Sequence, residues 1–493
     1  MVMATKHSLQ LLAMLIFLIS LLALTKPTMA DDDIPEDFSS SYFPDDFIFG
    51  TATSAYQIEG EATTKGRGPS VWDTFSKETQ KEYWMAAMET LQLISIIASK
   101  IGAFCYYFSL GHSSSLEDKY GGFLSRDIVY DYYEYANLLF EEFGDRVKYW
   151  MTFNEPWSLS GFSYDYGVFA PGRCSSWVNR QCRAGNSATE PYIVAHHLLL
   201  SHAAVVQLYR EKFKPIHGGQ IGITLFTFWY EPLSNEPADV EAAKTALDFM
   251  FGLWMDPMTY GTYPRTVRDL VGDRLPKFTD ENLSFLEDHM IFLGYNITLH
   301  IMQNQMLQLI QIILDTKPII ILPRLVTYDY DGNLIGPQAY SSWFYIFPKG
   351  IRHLLNYTKD TYNNPVIYIT ENGVDNNNNE TQPIEEALQD EFRINYYRKH
   401  LWNALGSLKN YSVNVKGYFA WSYLDNFEWN IGYTSRFGLY YVDYKDNLKR
   451  YPKDSAKWFT KFLKHSPKKP LQSNKIYEVT SRNSRKVGKY YIM

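Results

Sequence analysis

The sequence predicts a single α/β domain built on a parallel (β/α)8 TIM barrel. Its 493 residues, with 46% hydrophobic content, can bury a large core without division into separate domains. Strand patterns alternate with helix patterns along the chain, which is typical of a parallel sheet. Two predicted strands end in a glutamate, and functional side chains at strand ends favour a barrel over an open sheet.

The first thirty residues have the layout of a cleaved secretory signal peptide. Lys6 precedes an apolar run over residues 11–24, and Thr28-Met29-Ala30 forms a small-residue end. The run is short for a membrane anchor, so we expect no membrane association after cleavage. The predicted parts are therefore a signal peptide (1–30), the barrel domain (31–470) and a basic polar tail (471–493).

The elements follow in order along the domain. Strands are predicted at 47–53, 221–226 and 415–421, in addition to the two that end in glutamates. Amphipathic or apolar helices are predicted at 126–143, 191–209, 240–253 and 384–408. No internal repeat accompanies this alternation, which favours one continuous domain.

Two features of the sequence fit a secretory route. Cys174 and Cys182 lie close together in a Gly/Ser/Asn-rich loop, and an oxidising compartment would let them form a disulfide. Cys105 is then left unpaired. Glycosylation sequons fit the same route and occur at Asn282, Asn356, Asn379 and Asn410.

Composition narrows the class of partner. The net charge of -7 and the pI of about 5.9 provide no basic field, so nucleic acid is not an expected partner. The chain is rich in aromatic residues, with 39 Tyr and 12 Trp. Such side chains suit the apolar faces and hydroxyl rims of sugars, although large cores also use them.

The two glutamates at strand ends are the central chemical feature. Residues 366–370 form a β-branched and aromatic run into Glu371, which is followed by Asn-Gly, and residues 149–154 repeat the design before Glu155. Either glutamate alone could simply open a turn. Together they match glycosidic bond cleavage, which needs one acid to protonate the leaving oxygen and one carboxylate at the anomeric carbon.

The motifs around these glutamates resemble family 1 glycoside hydrolases, specifically secreted plant β-glucosidases. The matching motifs are TFNEPW at 152–157, ITENG at 369–373 and the closing run, residues 421–437. The resemblance implies that Glu155 is the acid/base and Glu371 the nucleophile, with retention of configuration and carboxyl groups about 5 Å apart. It implies a small-molecule β-D-glucoside substrate, no metal or organic cofactor, and a location in the cell wall, extracellular space or vacuole.

The resemblance also assigns the sugar contacts. Asn154 matches the residue that binds the sugar 2-hydroxyl, although it could instead cap the strand-end turn. Thioglucoside-hydrolysing relatives lack the acid that stands here at Glu155, which favours an O-glycosidase. The remaining matches are contacts to the outer hydroxyls, the ring platform and the pocket wall: Gln57, Glu428, Trp429, Trp421 and Phe437. An aromatic run is more often core than site, so this assignment depends on the resemblance.

Two stretches depart from the family pattern, at about 81–115 and about 288–325. Codons can be chosen for 104–114 that read, in a shifted frame, as the family's third strand with its His-Trp pair. Residues 82–99 and 290–303 can be recoded in the same way, and the latter resembles the sixth strand. We infer that both stretches are out of frame and that the coding for the second strand is missing between Lys100 and Ile101. The expected barrel is thus incomplete, with the second strand missing and the third and sixth altered.

The predicted function is a retaining β-glucosidase that hydrolyses terminal β-D-glucosyl residues through a covalent glucosyl-enzyme. One alternative is acyl-glucose-dependent transglucosylation, in which an acceptor alcohol replaces water. The other is a catalytically dead or misfolded remnant, because a barrel lacking a strand exposes two edges and opens its interior.

Overall fold

The structure is a computed structural model that describes residues 29, 33–58, 68–79, 105–107, 113–279, 293–302, 325–329 and 331–464. The signal sequence except Met29, the basic tail and His112 lie outside these ranges. The strands are β1 Ile48–Thr51, β2 Cys105–Tyr107, β3 Tyr149–Asn154, β4 Gln220–Pro232, β5 Leu293–Met302, β6 Leu325–Val326, β7 Ile367–Asn372, β8 Asn376–Asn377, β9 Val415–Ala420, β10 Ser435–Arg436, β11 Tyr440–Asp443 and β12 Lys449–Pro452.

The helices alternate with these strands. They are α1 Ala55–Ile58, α2 Val71–Thr79, α3 Ser114–Tyr120, α4 Asp127–Phe143, α5 Glu190–Leu208, α6 Lys214–His217, α7 Pro237–Leu247, α8 Leu253–Tyr260, α9 Arg265–Val271, α10 Lys349–Thr361, α11 Ile384–Ala387, α12 Glu391–Asn410 and α13 Asp454–Leu463. Among the described residues, no helix is both long and apolar enough to cross a bilayer.

The main sheet has the strand order β1-β9-β7-β5-β4-β3-β2, with β6 attached to β5. All neighbours along this order pair in parallel, and only β6 runs antiparallel. Within the described ranges, β1 and β2 end the order without pairing to each other, so the sheet is not closed. Parallel strands bring their carboxyl ends to one edge, and both glutamate-bearing strands contribute to it.

The predicted strands are present, but two of them differ in length from the prediction. The first is shorter, at 48–51, and the one predicted at 221–226 extends to Pro232. The two stretches that depart from the family each contribute a strand. Cys105 pairs with Tyr149, and β5 lies between β4 and β7.

Two predicted helices are divided. The pattern at 240–253 forms α7, a π-helical turn at 248–252 and then α8. The pattern at 384–408 breaks after Ala387, and α12 begins at Glu391. Asp390 lies at this break, where its carboxylate accepts hydrogen bonds from the N–H and the hydroxyl of Ser455 and pairs with Arg393.

The core lies between the sheet and the surrounding helices. Phe140 of α4 packs edge-on against Trp150 of β3, with ring centroids 4.9 Å apart, and both side chains are fully buried. Such contacts fix the strand against its helix, because interiors are packed as densely as crystals. Ser435–Arg436 (β10), inside the closing run, pairs antiparallel with β8, and β11 pairs antiparallel with β12 just after the run.

Candidate active site

Glu155 lies directly after β3, at the carboxyl edge of the sheet. Its backbone has φ 51°, and its N–H donates to the Thr224 carbonyl of β4 at 3.0 Å. The Ser158 hydroxyl donates to Glu155 Oε2 at 2.9 Å, and the Ser158 N–H donates to the Glu155 carbonyl at 2.8 Å. Glu155 is therefore held by a tight turn and by one hydroxyl on its carboxyl group.

Glu371 lies inside β7, one residue before the strand ends, and is half-buried. The register of β7 shifts against both neighbours near this residue. Tyr295 pairs with Ile369 and Asn296 with Glu371, while on the other side Ile369 pairs with Tyr418 and Asn372 with Ala420. One extra residue of β7 thus lies between these pairs on each side, which forms a β-bulge. Bulges re-aim side chains and are common next to active sites.

A register shift of the same kind precedes Glu155. Met151 pairs with Gly222 and Asn154 with Thr224, so β3 also has one residue more than β4 between these pairs. Asn154 ends β3 and is half-buried, next to Glu155. Regular pairing is therefore interrupted in both strands, just before Glu155 in β3 and around Glu371 in β7.

Gln57 and Glu428 form one hydrogen-bonded unit. Gln57 is 2% exposed, and its Nε2 donates to the Phe427 carbonyl at 2.8 Å and to Glu428 Oε2 at 3.3 Å. Asn426 Nδ2 donates to the same Glu428 oxygen at 3.0 Å. The structure thus brings together two residues that are 371 positions apart in the chain and that the sequence assigned to one sugar.

The carboxyl of Glu428 is unusually basic. Its pKa is raised to about 8: burial is the largest cause, the negative charges of Asp375 and Glu155 add to the rise, and the hydrogen bonds from Asn426 and Gln57 oppose it. The charge of the predicted acid/base, Glu155, thus contributes to the raised pKa of the predicted sugar-binding residue, Glu428. Perturbed carboxyls of this kind concentrate at functional sites.

Trp429 stands in an aromatic cluster beside this unit. Its ring is stacked parallel to Tyr56 with centroids 6.0 Å apart, and it lies 4.7 Å from Trp72 and 6.0 Å from Phe169. Trp429 remains half-buried, so part of its ring stays accessible. Contacts with these three aromatic rings therefore fix the position of the Trp429 side chain.

Trp421 continues from β9 and lies close to the end of β7. Its N–H donates to the Asn372 carbonyl at 2.9 Å, and its own carbonyl accepts from the Tyr397 hydroxyl at 2.8 Å. Gly373 is required here, because a Cβ at this residue would lie 1.8 Å from the Trp421 oxygen. Trp421 and Phe437 are 9% and 8% exposed and belong to the edge of the main core.

A buried ionic network holds the closing run. Asp425 accepts from Lys453 Nζ at 2.8 Å, from Arg436 Nη1 at 2.5 Å and from the Gly438 N–H at 2.9 Å. Burial alone would raise the pKa of Asp425, but the charges of Lys453 and Arg436 hold it below its ordinary value. Burial also lowers the pKa of Lys453 to about 8, against the opposing pull of Asp425. The network ties 421–438 to the segment that leads into α13.

Sequence reasoning missed several residues of this site. Asp375, which acts on Glu428, is buried and accepts from the Ser341 and Ser435 hydroxyls at 2.6 and 2.9 Å. Ser158 follows Glu155 by three residues, so its position in the first turn after the glutamate was a usable signal. Asp375 offered a weaker signal, since it lies four positions after Glu371 and its partners lie elsewhere in the chain.

The remaining predicted sites are the cysteine pair and the glycosylation asparagines. Cys174 and Cys182 form a disulfide with an S–S distance of 2.07 Å. Asn379 is exposed, Asn356 is half-buried within α10, and Asn410 is the last residue of α12. Asn282 is outside the described residues. Within the described ranges, no group of three or more His, Cys, Asp or Glu side chains is arranged to hold a metal ion.

Comparison with known proteins gives a consistent result. The model of glycosyl hydrolase family 1 matches residues 39–90 and 95–467. Beta-glucosidase 11 of Oryza sativa subsp. japonica is 43% identical over 488 residues, which cover 86% of this chain and 89% of the relative. Beta-glucosidase 40 of Arabidopsis thaliana is 41% identical and covers 87% and 93%.

Solved structures agree with the sequence relatives. The crystal structure of the rice Os3BGlu6 β-glucosidase has a TM-score of 0.77 at 39% identity and covers 86% of this chain and 99% of that one. A β-glucosidase from the fungus Humicola insolens, in complex with glucose, has a TM-score of 0.73 at 33% identity and covers 86% and 98%. The architecture of these neighbours is the (β/α)8 barrel. The chain belongs to glycosyl hydrolase family 1.

Proposed function

We propose that this chain is a retaining β-glucosidase that removes terminal β-D-glucosyl residues from β-D-glucosides. The observation that carries the proposal is the pair of glutamates, Glu155 and Glu371, at the carboxyl edge of one parallel sheet in a family 1 chain. The relatives named above are β-glucosidases, and retention is general for the family.

Each glutamate has its own role in the reaction. Glu155 protonates the glycosidic oxygen as Glu371 attacks the anomeric carbon, and the aglycone leaves as the covalent glucosyl-enzyme forms. Glu155 then takes a proton from water, which displaces Glu371 and releases β-glucose with its configuration retained. The hydrogen bond from Ser158 supports the proposed role of Glu155, because it fixes the orientation of the carboxyl group.

The sugar is recognised by the residues around Glu428. Gln57 and Glu428 bind the outer hydroxyls, Trp429 contributes to the same contacts, and Asn154 binds the 2-hydroxyl. Trp421 provides the platform under the ring, and Phe437 forms one wall of the pocket. The raised pKa of Glu428 supports this role, because a protonated carboxyl can both donate to and accept from sugar hydroxyls.

Hydrolysis of 4-nitrophenyl β-D-glucoside by the purified chain tests the proposal. NMR of the first product should detect the β-anomer of glucose before mutarotation, and a 2-deoxy-2-fluoro-β-D-glucoside should label Glu371, as read by peptide mass spectrometry. Release of the α-anomer, or labelling at another residue, contradicts the mechanism. An added alcohol acceptor separates hydrolysis from transglucosylation, because the latter yields a new glucoside.

We also propose that the barrel is incomplete, with the second strand missing and the third and sixth altered. The match to the family is interrupted between residues 90 and 95, within the first departing stretch. The alignment with beta-glucosidase 11 extends over 488 residues yet covers 86% of this chain, so some of the relative has no counterpart here. Sequencing of transcript across the coding for 80–116 and 288–327 is the test. A transcript that encodes this chain unchanged supports the incomplete barrel, whereas one that restores the shifted frames and the missing segment contradicts it.

We further propose that the chain enters the secretory pathway, loses residues 1–30 and is glycosylated. The signal-like N-terminus, the sequons and the Cys174–Cys182 disulfide support this proposal. N-terminal sequencing of protein from secreting cells should begin near Asp31, and treatment with an endoglycosidase should lower its apparent mass. An intact N-terminus would contradict the proposal.

A further inference from the structure

Asn372, the residue after Glu371, is held between two buried phenols. Tyr418 of β9 donates its hydroxyl hydrogen to Asn372 Oδ1 at 2.6 Å, and Asn372 Nδ2 donates to the Tyr396 oxygen of α12 at 3.0 Å. Asn372 and Tyr396 are each 2% exposed, and Tyr418 is fully buried. The amide is therefore fastened on one side to a neighbouring strand and on the other to the helix layer.

The position of these bonds matters because of the bulge in β7. Regular pairing fixes the direction of each side chain in a strand, and the register shift between Ile369 and Asn372 removes that control at Glu371. Another constraint must then fix the rotation of the backbone. The two hydrogen bonds on the Asn372 amide provide it at the adjacent residue.

The same turn of α12 also fastens the sugar platform. Tyr397, next to Tyr396, donates to the Trp421 carbonyl at 2.8 Å, and the Trp421 N–H donates to the Asn372 carbonyl at 2.9 Å. The absence of a side chain on Gly373 permits this approach. The backbone around Glu371 and that of Trp421 are thus tied to two consecutive tyrosines of one helix.

We propose that Tyr396 and Tyr418 are positioning residues that set the direction of the Glu371 carboxylate through Asn372, while Tyr397 sets the position of Trp421. The inference rests on the proposed β-glucosidase function. It assigns a role to three buried tyrosines that lie outside the family motifs quoted above.

The chemistry of these phenols fits a fixed role. Burial raises the pKa of both Tyr396 and Tyr418 well above the ordinary value, so each keeps its hydroxyl hydrogen through the whole range in which the enzyme could work. Loss of the Tyr418 hydroxyl would leave Asn372 Oδ1 without this buried donor, a costly state that a backbone shift could relieve. A displacement of 1 Å at a reacting group can lower a rate by about a hundredfold.

The test compares Tyr418→Phe, Tyr396→Phe and Tyr397→Phe with a matched control, Tyr263→Phe. Tyr263 is 3% exposed and its hydroxyl bonds to His196 Nδ1 at 3.0 Å, so the control removes a phenol hydroxyl of similar burial. The readout is covalent inactivation by 2,4-dinitrophenyl 2-deoxy-2-fluoro-β-D-glucoside, which separates the attack of Glu371 from the binding constant of the inhibitor.

Tyr418→Phe and Tyr396→Phe should lower the first-order inactivation rate by roughly tenfold or more, with the binding constant unchanged. Tyr397→Phe should mainly weaken binding, because it acts on the Trp421 platform. Rates for Tyr418→Phe and Tyr396→Phe that match the Tyr263→Phe rate would overturn the inference.

The failure of the proposed function can be told apart from the failure of this inference. A wild-type chain that is neither labelled nor active contradicts the proposed function. The anchor itself is then measured by a double-mutant cycle of Tyr396→Phe and Tyr418→Phe in urea unfolding. Non-additive free energies of unfolding support an anchor through Asn372, and additive ones overturn it.

Discussion

The ends of β3 and β7 look alike in sequence but are held differently in the structure. Glu155 lies beyond its strand, in a left-handed turn, and its carboxyl group accepts a hydrogen bond from Ser158. Glu371 lies within its strand, and the side chain of the following residue, Asn372, is fastened by two buried tyrosines. The first glutamate is thus held through its own carboxyl group, and the second through hydrogen bonds to the side chain of the next residue.

This difference matches the two chemical roles. An acid/base must exchange protons with the substrate and with water, and the Ser158 hydroxyl holds the Glu155 carboxyl group in one orientation for this exchange. A nucleophile must hold one line of attack on a carbon atom, which demands a fixed backbone. Two carboxyl groups on one sheet thus gain separate roles from their surroundings.

The largest effect is expected for Glu371→Gln. Without a nucleophile no glucosyl-enzyme forms, so kcat should fall by about four orders of magnitude or more with every substrate. Steady-state hydrolysis of 4-nitrophenyl and 2,4-dinitrophenyl β-D-glucosides measures this. Glu385→Gln, a change to an exposed residue of α11, is the control and should leave kcat unchanged. Comparable losses in both variants would contradict the assignment.

Glu155→Gln should lower the rate by an amount that depends on the leaving group, unlike Glu371→Gln. Glycosides of poorly acidic alcohols need proton donation and should react about a thousandfold more slowly. A 2,4-dinitrophenyl glucoside needs little donation, so stopped-flow measurement should still detect a burst of dinitrophenolate from the first step. An equal loss for both substrates would mean that Glu155 is not the acid.

Gly373→Ala tests the glycine turn that follows Glu371. Glu155 is followed by Pro156 and has no such glycine. The new methyl group would lie 1.8 Å from the Trp421 oxygen and 2.7 Å from its carbon, so the backbone must move. The free energy of unfolding should fall by about 3 kcal/mol, as measured by urea denaturation. Gly68→Ala, where no atom lies within 4 Å, is the control. Equal stabilities would show that the turn can relax.

The smallest effect is expected for the pH dependence of stability that comes from Glu428, whose pKa is raised in part by the charge of Glu155. Its pKa is raised in the folded chain from 4.5 to about 8, so the native state binds more protons than the unfolded state between these values. Stability should therefore fall as pH rises through this window. Glu428→Gln should remove the fall, a gain of roughly 1 kcal/mol at pH 7.5 after allowance for partial exposure, and no gain at pH 4.

Thermal unfolding of wild type and Glu428→Gln across this pH range provides the measurement. The double variant Glu155→Gln/Glu428→Gln should gain less stability than the sum of the two single variants, because each change removes the same repulsion between the two carboxyl groups. Curves that run parallel at all pH values would contradict the raised pKa.

Sequence patterns predicted the elements that position both glutamates, because strands and their terminal residues follow local rules. The assignments of Gln57 and Glu428 required family resemblance, since a Gln after a strand and a Glu in an aromatic run have no distinctive local pattern. The structure then joined them by a hydrogen bond.

The anchors could not be predicted in this way. Tyr418 reaches Asn372 only because β9 lies beside β7, and Tyr396 does so only because α12 packs behind them. The bulges in β3 and β7 do not change the pattern of apolar and polar residues along these strands, so the sequence gives no sign of them. The break before α12 depends on Asp390 meeting Ser455, a partner from the end of the domain.

The high pKa of Glu428 also bears on how inhibitors would discriminate at this site. Near neutral pH the carboxyl is largely protonated, so a basic sugar mimic with a positive charge meets an uncharged partner there. As the medium becomes alkaline, the carboxyl ionises and attracts such a cation, whereas a neutral glucoside gains no comparable Coulombic attraction. We therefore expect the selectivity of the pocket for cationic over neutral ligands to increase as Glu428 loses its proton.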